Sequence, residues 1–244
     1  MIPLERRAEC RRRIESLLER HVAELVACPE WAALESGRAG AEGYDRFLVN
    51  VIRTHLKSPQ LVAFLYALAP PRSASNLLHN MLEELGLDAD EGWPAHPALL
   101  LVLARGAGLE PRLPELERLA AGTLRQMVVD PLLYGSLRDV GLAALAEVVA
   151  FEFMLSRVSG RIARALAAHR GLSAETLGWF THHSEVDVEH AAQGLDDLVE
   201  YVDYYDLVED DALTIVEMAL RENVFIKRYF GELSLPAARA PGLV

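Results

Sequence analysis

Apolar residues recur every three to four positions along most of this chain, and almost nowhere do they alternate in the two-residue rhythm of a strand. In residues 4–27, Ile14, Leu17, Leu18, Val22, Leu25 and Val26 share one face with His21, which predicts a first helix. CPEWAALESGRAGAEG, rich in Gly and Ala, predicts a loop with at most one turn in it. YDRFLVNVIRTHLKS (44–58) is amphipathic and predicts a helix that stops before Pro59, with another running to Pro70-Pro71. SASNLLHNMLEELG starts on a serine cap and ends at Gly86. The short acidic loop LDADEGWPA leads into a Leu-rich helix, HPALLLVLARGAGL. Further helices are expected near 114–129 and 136–170. Gly171-Leu-Ser173 reads as a stop and a new cap opening a helix to about 203, and the last helix covers roughly 209–231. No repeat or linker interrupts this pattern. It predicts a single all-α domain, a helical bundle of about eight helices over residues 1–235, with a frayed tail at 236–244.

Composition narrows the function classes. A formal charge of −12 argues against a nucleic-acid partner. Two lysines, Lys57 and Lys227, leave little for Schiff-base chemistry, and two cysteines, Cys10 and Cys28, make neither a disulfide framework nor a cysteine-rich metal site. The amino terminus MIPLERRAECRRR is charged where a signal peptide would be apolar, and no run of about 18 apolar residues could span a membrane. The expectation is a soluble, cytoplasmic protein without a membrane partner. A bundle of this size is compatible with a homodimer, though nothing specific in the sequence points to one.

Candidate chemistry sits in HHSEVDVEH, residues 182–190. On a helix, His183, Asp187 and His190 stand at i, i+4 and i+7, within roughly 60° of one another. That face is either a solvated stripe or half of a metal site. Glu152, in VVAFEFML, is a lone acid on an apolar stripe, where an ionised carboxylate costs several kcal/mol unless something compensates it. Glu83 and Glu84 lie in the last turn of a helix, where the macrodipole disfavours acids and a cation would offset the cost. His96 opens the next helix. These groups make two half-sites of glutamate followed by histidine, the carboxylate-and-imidazole chemistry suited to iron or manganese in helical proteins. The bland alternative is a non-catalytic helical adaptor, with satisfied core histidines and Asp187 as their partner.

The order Asn80-x-x-Glu83-Glu84-x-Gly86, His96, Glu152 and His183-x3-Asp187-x2-His190 resembles the haem-oxygenase-like di-iron oxidases and oxygenases. The likeness covers about 44 to 230, including SPQLVAFLYAL ahead of the first glutamate. It implies the haem oxygenase fold without haem and an oxidoreductase that uses O2 on a small organic substrate, such as an amino-acid or fatty-acid derivative, in a biosynthetic setting. It also implies two iron ions per chain; the oxygen and nitrogen ligand set makes manganese the alternative metal, and the polar loop LGLDADEGWPA between Glu84 and His96 predicts that the second ion is weakly held. Carried over, the metal ligands are Glu84, His96, Glu152, His183, Asp187 and His190, with Glu83 and His79 as alternates. Phe151, Trp179 and Phe180 flank them as candidates for a substrate pocket. Phe151, Trp179 and Ile162 stand where the self-sacrificing p-aminobenzoate-forming branch has its tyrosines and lysine, so that reaction is not expected. Haem ligation would need His21 as proximal ligand and a glycine-rich distal helix, which Ser159-Gly160 alone does not supply. The metal-independent relatives of the fold, thiaminase-like and pyrroloquinoline quinone synthase-like, leave the metal-spaced triplet unexplained.

Overall fold

A computed structural model describes residues 4–87, 94–221 and 223–231, and among them 82% helix and no strand is found. Ten helices of seven or more residues follow one another: α1 (Leu4–Ala27), α2 (Pro29–Glu35), α3 (Gly40–His55), α4 (Ser58–Ala67), α5 (Ala74–Glu84), α6 (His96–Gly106), α7 (Leu113–Leu124), α8 (Leu137–Arg170), α9 (Gly178–Tyr204) and α10 (Glu209–Leu220). The all-α bundle is as the periodicity predicts. Residues 236–244, expected to fray, and most of the loop LDADEGWPA fall outside the described residues.

Three local expectations need correction. PEWAALE is a helix, because Pro29 opens it, the Cys28 sulfur accepts from the Trp31 amide at 3.4 Å, and the fully buried Trp31 anchors it. The helix expected to stop before Pro59 does stop short of it, at His55, and Pro59 sits in the first turn of α4, where its missing N–H has no consequence. Ser173 caps a turn through the Thr176 amide rather than opening α9, which starts at Gly178. The last predicted helix is likewise broken. α10 ends at Leu220, and Asn223, at φ +51°, turns the chain into a short segment, Val224–Ile226, that continues as a π-helical turn over Lys227–Gly231.

The centre of the bundle is the antiparallel pair α8 and α9. Their contacts run in opposite order along the two helices: Ser159 Oγ donates to the Phe180 carbonyl at 2.6 Å, Val149 meets Gly194, and the Tyr201 hydroxyl reaches the Arg138 carbonyl at 3.1 Å. Gly194 allows the close approach. A Cβ there would stand 2.7 Å from Val149 Cγ2 and 3.4 Å from Glu152 Oε2, so a larger residue would push α9 off α8 where the acids lie. The remaining helices pack around this pair over one continuous apolar core. Among the described residues no helix is long and apolar enough to cross a membrane.

Candidate metal centre

Gly86 builds one side of the site. It ends α5 at φ +65°, with its amide bonded to the Glu83 carbonyl and the Leu87 amide to the Leu82 carbonyl, both at 2.8 Å. A Cβ on Gly86 would collide with the backbone of Ala95. The bare backbone therefore lets the chain return against the end of α5, and the next residue, His96, lands beside Glu84. His96 Nδ1 lies 3.1 Å from Glu84 Oε1. Ser58 Oγ, from the first turn of α4, donates to Glu84 Oε2 at 2.5 Å.

The other side comes from α8 and α9. Glu152 Oε1 accepts from Asn80 Nδ2 at 2.8 Å, and His190 Nε2 stands 2.8 Å from Glu83 Oε2. His183 Nδ1 bonds the Trp179 carbonyl at 2.8 Å, which places the ring proton on Nδ1 and leaves Nε2 with its lone pair. Asp187 is 2% exposed, and among the described residues its Oδ2 has no hydrogen-bond partner.

All six expected ligands, Glu84, His96, Glu152, His183, Asp187 and His190, face one cavity of about 50 Å³. Glu152 keeps some surface, which opens onto this cavity and onto a smaller one beside Gly194. The alternates stand apart. Glu83 is buried behind His190, and His79, 3.6 Å from Glu83 Oε1, is half-exposed on the outer side. Of the three aromatic candidates, Phe151 lines the cavity. Trp179 and Phe180 do not: the Trp179 ring packs on His183 at 4.1 Å, and Phe180 packs edge-on behind Trp179.

Sequence reasoning passed over three residues here. His182, 1% exposed, brings its Nε2 to 3.0 Å from His96 Nε2. His55 lines the cavity from the end of α3, and Ser58 holds Glu84. His55 had a signal: Tyr44, Leu48, Val51 and Ile52 set a helical stripe that reaches it at position 55. Ser58 had none.

The electrostatics of the site are those of crowded acids. Burial pushes the Asp187 carboxyl well above its ordinary range, and Glu152, Glu84 and Glu83 push it in the same direction. Burial raises Glu152 to about 7, against the pull of His190 and the Asn80 hydrogen bond. His183 is held neutral by burial and by His96 nearby. Burial and His96 also lower His182 to about 4. Burial would lower His96 too, but attraction and a hydrogen bond from Glu84 outweigh it, and its affinity for a proton is raised. Among the described residues no Lys or Arg lines the cavity to neutralise these acids.

This donor set fits a divalent cation. It offers neutral imidazoles with fixed tautomers, carboxylates that resist ionising without a counter-charge, and one carboxylate oxygen with no protein partner. As they stand, several of these side chains pair with one another, and among the described residues no three His, Cys, Asp or Glu draw together as a metal-holding group. The mutual pairs, His96 with Glu84 and His190 with Glu83, occupy the lone pairs that a metal would take.

Comparison with known families matches residues 45–222 to the family described as iron-containing redox enzyme. No curated protein matches the chain.

Proposed function

The chain belongs to the iron-containing redox enzyme family and shares its haem-oxygenase-like fold, and from that premise we propose that it is a non-haem di-iron or iron/manganese oxidase or oxygenase. In this reading it uses O2 to oxidise a small organic substrate, such as an amino-acid or fatty-acid derivative, in a biosynthetic pathway. One observation carries it: Glu84, Glu152 and Asp187 share a buried cavity with His96, His183 and His190, and among the described residues no Lys or Arg is there to offset them. Placed together without a cation, such acids cost stability that a protein of purely structural purpose has no reason to accept. Those six residues would hold the metal, with Glu83 able to replace Glu84 by a turn of α5's end. Bound iron supplies the electrons and the Lewis acidity that let O2 react with a closed-shell substrate.

The chain's own groups prepare that chemistry. Asn80 holds one oxygen of Glu152 and Ser58 one oxygen of Glu84, so each carboxylate is fixed in place at the cavity wall. The Trp179 carbonyl fixes the His183 ring. Leu61, Val62, Met127, Val148, Phe151 and Leu155 form the apolar wall that keeps water out. With no cationic side chain in the lining, Thr54, Ser58 and Asn80 are left to meet the polar end of a substrate.

Rapid mixing of anaerobic Fe(II)-loaded protein with O2 tests the proposal. Uptake of O2 with a transient visible band is expected, and Glu152→Ala and His183→Ala should abolish both while remaining helical by circular dichroism. O2 uptake that persists unchanged in both variants would show that the reaction does not occur in this cavity.

A further inference from the structure

The cavity has a partner the proposed ligand set does not use. The Tyr229 phenol, in the π-helical turn after α10, is 0% exposed, and its oxygen lies 2.7 Å from Nε2 of His55. Three other tyrosines show the ordinary way of satisfying such a hydroxyl. Tyr44, Tyr201 and Tyr205 donate to the backbone carbonyls of Leu34, Arg138 and Leu68, which cannot accept the proton outright. Tyr229 is given an imidazole, which can. His55 Nε2 is the partner found for the Tyr229 hydroxyl, so the phenol donates and Nε2 accepts; the reverse would leave the phenolic proton buried without an acceptor. Burial keeps both groups neutral, lowering His55 to about 3 and raising Tyr229 well above its ordinary value.

The pair is held in place and faces the site. Asn50 Nδ2 donates to the Tyr229 carbonyl at 2.9 Å, and Arg53 Nε in turn donates to Asn50 Oδ1 at 2.8 Å. The buried Arg228–Glu147 ion pair, 2.8 Å long, pins the adjacent residue to α8. The His55 ring packs 5.0 Å from Trp179, and Trp179 packs 4.1 Å from His183. A continuous chain of rings thus runs from Tyr229 to a proposed metal ligand.

We propose that Tyr229 and His55 form a proton-coupled electron relay for the cavity, in which Tyr229 gives one electron to a metal-centred one-electron oxidant and its phenolic proton to His55 Nε2. The O–H bond of Tyr229 breaks and an N–H bond forms on His55. The phenol becomes a neutral phenoxyl radical, the imidazole becomes imidazolium, and the oxidant is reduced by one electron. The acceptor stands within the 2.6–3.2 Å that proton transfer requires. An electron and the returning proton restore both groups. The relay would supply an electron when the substrate is absent or only partly oxidised. It rests on the reading of the cavity as an iron centre.

The test separates the relay from that reading. 3-Fluorotyrosine is placed at position 229, and metal-free full-length protein is oxidised by a flash-generated ruthenium(III) polypyridyl complex. Electron paramagnetic resonance then reads the fluorine-split signal, which identifies position 229 whatever other tyrosines oxidise. A fluorine-split neutral radical is expected, formed more slowly in D2O. It should form about 100-fold more slowly in His55→Gln, which can hold the phenol but cannot take its proton. Iron-loaded protein should give the same signal with O2 alone. Radicals at other tyrosines with no fluorine splitting, or equal rates in His55→Gln, would overturn the relay, whatever the iron content proves to be. A fluorine-split signal in metal-free protein, together with absence of bound iron, would instead count against the iron reading and leave the Tyr229–His55 pair standing as a redox couple.

Discussion

Glu152→Gln isolates the cost of assembling the acids. Burial raises the Glu152 carboxyl to about 7 in the folded chain, against an ordinary value of 4.5. A carboxyl whose folded pKa is raised costs nothing where both folded and unfolded states are protonated. The cost grows as pH climbs from the unfolded value to the folded one, and is complete above it. The interval from 4.5 to about 7, at about 1.36 kcal/mol per pH unit, corresponds to roughly 3 kcal/mol, an upper figure because neighbouring charges rearrange. Glutamine keeps an oxygen to accept from Asn80 Nδ2 and carries no charge. Urea unfolding of metal-free protein in chelator, from pH 4.5 to 8, should therefore find the variant near wild type at the acid end. By pH 8 it should be more stable by up to roughly 3 kcal/mol. With iron present the order should reverse, since only the wild type gains the metal's binding energy. A variant less stable at pH 8, or a difference that does not change with pH, would refute the reasoning and make Glu152 a structural acid with a protein partner.

Two further perturbations examine the Glu84–His96 half-site. His96→Ala should halve the iron content of loaded protein, leaving the ion held by Glu152 and the α9 histidines; unchanged content, with loss in His79→Ala instead, would move the ligand to His79. Gly86→Ala should lower stability by about 1–3 kcal/mol in thermal unfolding, from strain at φ +65° and collision with the Ala95 backbone. It should also weaken the same half-site, and a neutral effect on both would remove Gly86 from the account.

The long elements were legible because their patterns are long. Over the 34 residues of α8 and the 27 of α9, apolar spacing and the helix stop at Gly171 outweigh local noise, and the 183/187/190 face follows from helical geometry. Short elements carry less signal. The seven residues of α2 are held by a cysteine cap and a buried tryptophan, neither of which differs from a loop in composition. Within the site, adjacent residues left a choice open for a physical reason. Glu83 and Glu84 point about 100° apart, and the tertiary placement of α5, packed chiefly on α4, decides that Glu84 faces the cavity while Glu83 backs His190. His182 and His55 were hidden differently, since a histidine on a buried face looks the same whether it serves the core or a cavity.

Metal content of the purified chain tests the central claim most directly. Protein loaded anaerobically with Fe(II), freed of loosely bound metal and analysed by inductively coupled plasma mass spectrometry, should retain up to two ions per chain. One should resist mild chelation and the other should be lost readily, and both should be lost in Glu152→Ala and His183→Ala. A folded, carefully loaded wild type that binds neither iron nor manganese would contradict the account and leave a helical protein whose buried acids serve some other end.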